Sequence, residues 1–109
     1  MRELDLQHLI QLDCGRSGWI AEHYESKRGM LPSGIYYDSG VPKGYPDITI
    51  YLGNGLVCFV ETKVKYNKTS PEQRLFIERM TRLGYEIRVI YTFDEWLEFK
   101  KYLKNKYNI

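Results

Sequence analysis

The sequence has little of what would export, anchor or cross-link a chain. Cysteine occurs twice, at Cys14 and Cys58, far apart and without a metal or redox spacing. Both lie among apolar residues and read as reduced thiols of a cytoplasmic protein. No apolar run approaches the roughly 20 residues that cross a bilayer, so no membrane partner is expected. The opening residues, Met1-Arg2-Glu3-Leu4-Asp5, carry acids and no apolar signal stretch, and so give no sign of export. Histidine is as scarce: His8 and His23 have no ligand spacing, which argues against a histidine-based site. A phosphate-cradling glycine loop, a serine or cysteine triad, internal repeats and low-complexity tracts are all missing.

What is present suits one domain spanning residues 1–109, with 43% hydrophobic and 15% aromatic residues to build a core. The net charge of +2 says little about partners, but the cations are clustered. Lys63, Lys65 and Lys68 follow a central apolar run. Lys27, Arg28 and Lys43 lie in a glycine- and proline-bearing stretch, and Lys100, Lys101, Lys104 and Lys106 crowd the end.

Hydrophobic spacing predicts a helix over about residues 3–13, with Leu4, Leu9 and Leu12 recurring, Leu6 and Ile10 widening the stripe, and Gly15 ending it. Trp19–Tyr24 reads as a strand and Lys27–Gly44 as a long loop, which at that length is more often functional than idle. Asp47–Leu52 and Leu56–Val64, split by Gly53-Asn54-Gly55, read as a hairpin. Ser70-Pro71-Glu72-Gln73 opens a second helix with a capping box, a stripe of Phe76, Ile77, Met80 and Leu83, and Gly84 as its stop. Tyr85–Tyr91 is a fourth strand. Thr92-Phe93-Asp94-Glu95 starts a last helix carrying Trp96, Leu97, Tyr102 and Leu103. The expectation is an α/β sandwich with a mixed sheet, because the last two strands are joined through a helix.

The acids are the informative feature. Glu61 interrupts an apolar strand, and Lys63, two residues on, shares its face. Charges placed in mid-sheet are costly unless paired or bound to a metal. If Gly53-Asn54-Gly55 is the loop, Asp47 pairs with Glu61 and the two carboxylates share a face. A two-residue Asn54-Gly55 turn would instead pair Asp47 with Thr62 and separate the acids. Adjacent carboxylates resist joint ionisation, and a divalent cation relieves the conflict.

Pro46-Asp47, a gap, and Glu61-Thr62-Lys63 resemble the PD-(D/E)XK nuclease pattern. With Gly44-Tyr45-Pro46-Asp47, Phe59-Val60-Glu61-Thr62-Lys63 and Ser70-Pro71-Glu72-Gln73, nearly the whole chain is similar to the VRR-NUC (virus-type replication-repair nuclease) domain of that superfamily. The resemblance implies a restriction-endonuclease-like α-β-β-β-α-β core with an added C-terminal helix, and hydrolysis of phosphodiester bonds with Mg²⁺ or Mn²⁺. It casts Asp47, Glu61 and the Thr62 carbonyl as metal ligands, Lys63 as the residue that orients the attacking water, and Gln73 as its helper. An acid of the first helix that reaches the metal through water best matches Asp5, with Glu3 and Glu22 as alternatives.

The expected substrate is DNA, held by Lys65, Lys68 and the loop cations Lys27, Arg28 and Lys43, with Tyr36 and Tyr37 either stacking on bases or packing the loop. Similar stand-alone domains imply a homodimer, with Trp19 and the long loop as contributors, resolving branched DNA or Holliday junctions in replication, recombination or repair. They also imply a viral or mobile-element source, such as a phage. The rival readings are a non-catalytic nucleic-acid-binding module and a protein-interaction subunit that keeps the fold.

Overall fold

In the computed structural model, which describes residues 1–25 and 27–109, helix α1 (Glu3–Arg16) buries Leu6, Ile10 and Cys14. A spacing of four residues stacks those side chains on one stripe, and Gln7 lies beside them. Leu4, Leu9 and Leu12, expected in that stripe, are turned outward. Two leucine-bearing stripes overlap on this helix, and only the sheet beneath selects between them. The helix also runs through Gly15, and the left-handed position after its end falls to Gly18, at φ 79°.

Strand β1 (Ile20–His23) follows. The stretch expected as a loop then contains two short strands, β2 (Arg28–Met30) and β3 (Tyr36–Asp38), paired antiparallel with Arg28 opposite Asp38 and Met30 opposite Tyr36. At three residues each, they are too short for alternation to register. Tyr37 packs its ring over Gly29 across this pair, though both it and Tyr36 are exposed.

Strands β4 (Ile48–Tyr51) and β5 (Val57–Thr62) form the hairpin. Helix α2 (Pro71–Arg82) then leads to β6 (Glu86–Ile90), and helix α3 (Phe93–Tyr107) closes the chain. The main sheet has the order β1-β4-β5-β6, antiparallel except for the parallel β5–β6 pair that α2 connects. This is the expected mixed sheet with three helices.

Alternation assigns the two faces of the sheet. Ile48, Ile50, Cys58, Val60 and Ile90 meet Leu6, Ile10, Trp96, Phe99 and Leu103 in the main core, between the sheet and helices α1 and α3. Burial pushes both thiols above the usual range, Cys14 to about 12. Asp13 ties α1 to α3, accepting from Trp96 Nε1 at 2.8 Å and Lys100 Nζ at 3.0 Å. Leu97 and Tyr102 are exposed, and Phe99 takes the buried place between Trp96 and Leu103.

The opposite face carries Thr49, Phe59 and Glu61. Helix α2 covers it only in part, burying none of its own residues fully. Tyr45 bridges this layer, meeting Phe59 at 6.5 Å and Phe76 at 5.1 Å between ring centroids. Leu83, expected in the buried stripe, is exposed, and Gly84 at φ 92° stops the helix as expected. The half-open layer leaves a groove along the sheet. Among the described residues, no helix is long and apolar enough to cross a membrane.

Candidate active site

The site starts from the turn of the β4–β5 hairpin. Leu52 donates its amide to Leu56 at 2.9 Å, and Asn54 sits in the middle with φ 61°, a conformation asparagine tolerates well. The odd-length loop therefore forms in place of the two-residue turn. Its register pairs Ile48 with Val60 and Ile50 with Cys58, and one further step sets Asp47 against Glu61.

Asp47 is held from both sides. Its carbonyl accepts from the Tyr24 amide at 2.9 Å, and its Oδ2 accepts from Thr62 N at 2.9 Å and Thr62 Oγ1 at 2.7 Å. Glu61 is 2% exposed and accepts from Gln73 Nε2 at 2.9 Å. Burial first, and then the charge and hydrogen bond of Asp47, push the Glu61 carboxyl up to about 9, against a partial pull from Lys63. The hydrogen bonds from Thr62 and Gln73 use one oxygen of each acid, leaving the second oxygen of each unused by them.

Gln73 serves two ends at once. Its Oε1 accepts from Ser70 N at 2.8 Å to close the capping box, while its Nε2 reaches Glu61. Capping and site contact are complementary, because an amide has a separate acceptor and donor. Gly44 makes this approach possible. It has φ 89°, and an added Cβ would lie 2.6 Å from the carbonyl carbon and oxygen of Glu72. Gly44→Ala is expected to destabilise the fold by about 1–3 kcal/mol through strain and overpacking, and to displace the first turn of α2. Thermal melting, with the Gln73–Glu61 distance in a crystal structure, checks this.

A solved structure described as a VRR_NUC domain superposes on this chain with a TM-score of 0.70, over 91% of this chain and 94% of that one, at 22% sequence identity. The chain has the VRR-NUC fold. No family model matches the sequence, and no curated protein does.

Around the β4–β5 hairpin, the remaining candidates divide. Asp5, expected as the extra acid, is engaged elsewhere. Its carboxylate accepts from Arg2 N and Arg2 Nε at 3.3 Å each, and those bonds hold it below the usual carboxylate range. Glu3, at the start of the same helix, adds a small repulsion at Glu61, well after burial and Asp47. Two residues, roughly half a turn of helix, separate the two orientations, which composition could not distinguish. Glu22 stands opposite Thr49 and accepts a hydrogen bond from the Tyr24 hydroxyl.

The cations divide as well. Lys27 pairs with Glu25 at 2.6 Å, Arg28 with Asp38 at 3.2 Å and Lys43 with Glu72 at 3.6 Å. Among the described residues, Lys63, Lys65 and Lys68 join no ion pair. Trp19 packs against the core beneath Lys100, whose Nζ lies 5.6 Å from its ring, so it does not stand out as a contact surface.

Two residues escaped sequence reading. Gln7 donates through Nε2 to Thr62 Oγ1 at 2.8 Å, and Thr62 passes the contact to Asp47. The available signal was a glutamine beside Leu6 and Ile10, visible only once the correct stripe of α1 is known. Thr49, two residues on from Asp47, keeps a buried hydroxyl with no partner among the described residues. The groove above is lined by Tyr24, Lys27, Gly44, Tyr45, Asp47 and Gln73.

No group of three or more His, Cys, Asp or Glu side chains converges among the described residues. Two carboxylates do, with hard oxygen donors and a neighbouring carbonyl. Mg²⁺ accepts that set, because it keeps several waters and takes one or two carboxylates.

Proposed function

We propose that this protein is a Mg²⁺- or Mn²⁺-dependent DNA endonuclease. The observation that carries the reading is the buried Glu61 carboxyl set against Asp47 on an open groove, with Lys63 on the next same-face position. Such a pair is stable as two anions only with a cation between them.

Asp47, Glu61 and the Thr62 carbonyl would hold the ion. When bound, it lowers the pKa of a coordinated water and offsets charge growing on the phosphate. Lys63 supplies a fixed positive charge where the pentavalent phosphorus gathers negative charge, and orients the water. Gln73 holds Glu61 in place while its other end caps α2. Glu3 adds the outer acid in place of Asp5.

Lys65 and Lys68 hold flanking phosphates without reading sequence. Lys65→Ala and Lys68→Ala are each expected to lower the slope of log affinity against log salt by about 1. Lys27→Ala, Arg28→Ala and Lys43→Ala should change it less, since a carboxylate already neutralises each of those cations. Fluorescence anisotropy over a salt series checks this.

The substrate proposed is branched DNA, with Holliday junctions first among candidates, in replication, recombination or repair. A homodimer would match the two-fold symmetry of a four-way junction. The β2–β3 hairpin is the contact proposed for it, because Met30, Leu31 and Ile35 lie exposed there on a two-stranded unit that is marginal alone in water. The buried, reduced cysteines fit a cytoplasmic setting, and a phage or other mobile element fits as the source.

The test is incubation with linear, flapped and four-way DNA, with Mg²⁺, Mn²⁺ or EDTA, and mapping of the cuts. Cation-dependent cleavage is the expected result. Binding without any cation-dependent cut would leave a DNA-binding module, and no binding at low salt would leave a protein-interaction subunit.

A further inference from the structure

We infer that Gln7 and Thr62 are positioning residues that aim Asp47 through a one-way chain of hydrogen bonds running from helix α1 into the site. The inference rests on the reading of Asp47 as a metal ligand.

Chemistry fixes the direction of the chain. A threonine hydroxyl has one proton to give, and it accepts through its lone pairs. The Gln7 amide nitrogen can only donate, and it lies 2.8 Å from Thr62 Oγ1. The hydroxyl proton is thus directed away from Gln7. Asp47 Oδ2 waits at 2.7 Å to receive it. The same oxygen accepts the Thr62 amide at 2.9 Å. Two donors from one residue, meeting on one carboxylate oxygen, fix both the place and the rotation of that group. Its other oxygen is left to face a cation.

Burial makes the chain necessary. Gln7 is 6% exposed and Thr62 1%, so water cannot readily stand in for either partner. Gln7 lies beside the buried stripe of Leu6, Ile10 and Cys14, where an apolar residue would pack without needing a partner. An amide there is costly to bury unless it is bonded, and its bond goes to the residue that holds Asp47. Position of the first helix is in this way transmitted to the metal ligand, although the helix supplies no ligand of its own in the chain.

The experiment measures Mn²⁺ binding by electron paramagnetic resonance of the free ion, on the full chain without DNA, alongside melting in EDTA. Thr62→Val and Gln7→Met keep shape and remove the chain. Each is expected to weaken Mn²⁺ binding by about 10–100-fold, the usual effect of losing a group that orients a metal ligand. Thr62→Ser keeps the hydroxyl and should return affinity to near the parent's. Parental Mn²⁺ affinity in Gln7→Met overturns the inference, as does an equal loss in Thr62→Ser and Thr62→Val. If Thr62→Val fails to fold, Gln7→Met and Thr62→Ser still decide the matter. Asp47→Asn separates the two levels: if it binds Mn²⁺ as the parent does, the metal-site reading itself is wrong, whatever the other variants do.

Discussion

Single-turnover cleavage of branched DNA with saturating Mn²⁺ is expected to fall by about 10³-fold or more in Asp47→Ala and Glu61→Ala, since a bound metal supplies several kcal/mol of transition-state stabilisation. Lys63→Ala is expected to lose about 10²–10³-fold, the usual effect of removing one preorganised charge. The three variants should differ in kind as well as size. Losing an acid weakens the ion's hold, so part of the defect in Asp47→Ala should recede as Mn²⁺ is raised. Losing Lys63 leaves the carboxylates intact, and added metal should not rescue it. Arg2, Asp5 and the ion-paired Lys43 offer comparison sites outside this cluster, where alanine should leave the chemical step near the parental rate. Undiminished cleavage in Asp47→Ala and Lys63→Ala would remove the active-site assignment.

The second large effect is on stability. The folded Glu61 carboxyl is raised to about 9 from an ordinary 4.5, with burial the main cause and Asp47 next. Between those values the unfolded chain has released this proton while the folded chain retains it. The folded state therefore binds more protons, and stability falls as pH rises, by up to about 1.4 kcal/mol per pH unit. Below the lower value both states are protonated and the penalty disappears. Metal-free protein in EDTA should thus melt at a lower temperature at pH 8 than at pH 6. Glu61→Gln should flatten that dependence and melt higher than the parent at pH 8, while losing activity. A divalent cation should restore the parent most strongly at high pH, because it binds the ionised pair and releases the proton. Melting curves across pH with EDTA or Mg²⁺ check all three outcomes. A parent whose metal-free melting temperature rises from pH 6 to pH 8 would contradict the buried carboxyl pair.

These two results depend on different links between sequence and site. The Ser70-Pro71-Glu72-Gln73 cap, the stop at Gly84 and the apolar β5 strand are local, and chain-neighbour chemistry is enough to read them. The hairpin register lay between two readings, and the left-handed Asn54 at the centre of an odd loop decided it. Helix α1 was misread for a physical reason: Leu4, Leu9 and Leu12 are as apolar as the residues that are buried, and nothing in a single helix says which stripe meets a sheet. With the wrong stripe, Gln7 could not stand out and Asp5 looked a better match than Glu3. The β2–β3 pair was missed because strands of three residues carry no period.

By itself, the sequence determined the three helices, the four strands of the main sheet, and the strand that carries Glu61 and Lys63, since each depends on residues close in the chain. Only the tertiary structure decided which side of α1 is buried, which acids and cations are already paired, and how Gln7 reaches Asp47 through Thr62. Those outcomes turn on contacts between residues as much as 87 positions apart, whose partners are chosen by packing and not by neighbours in sequence.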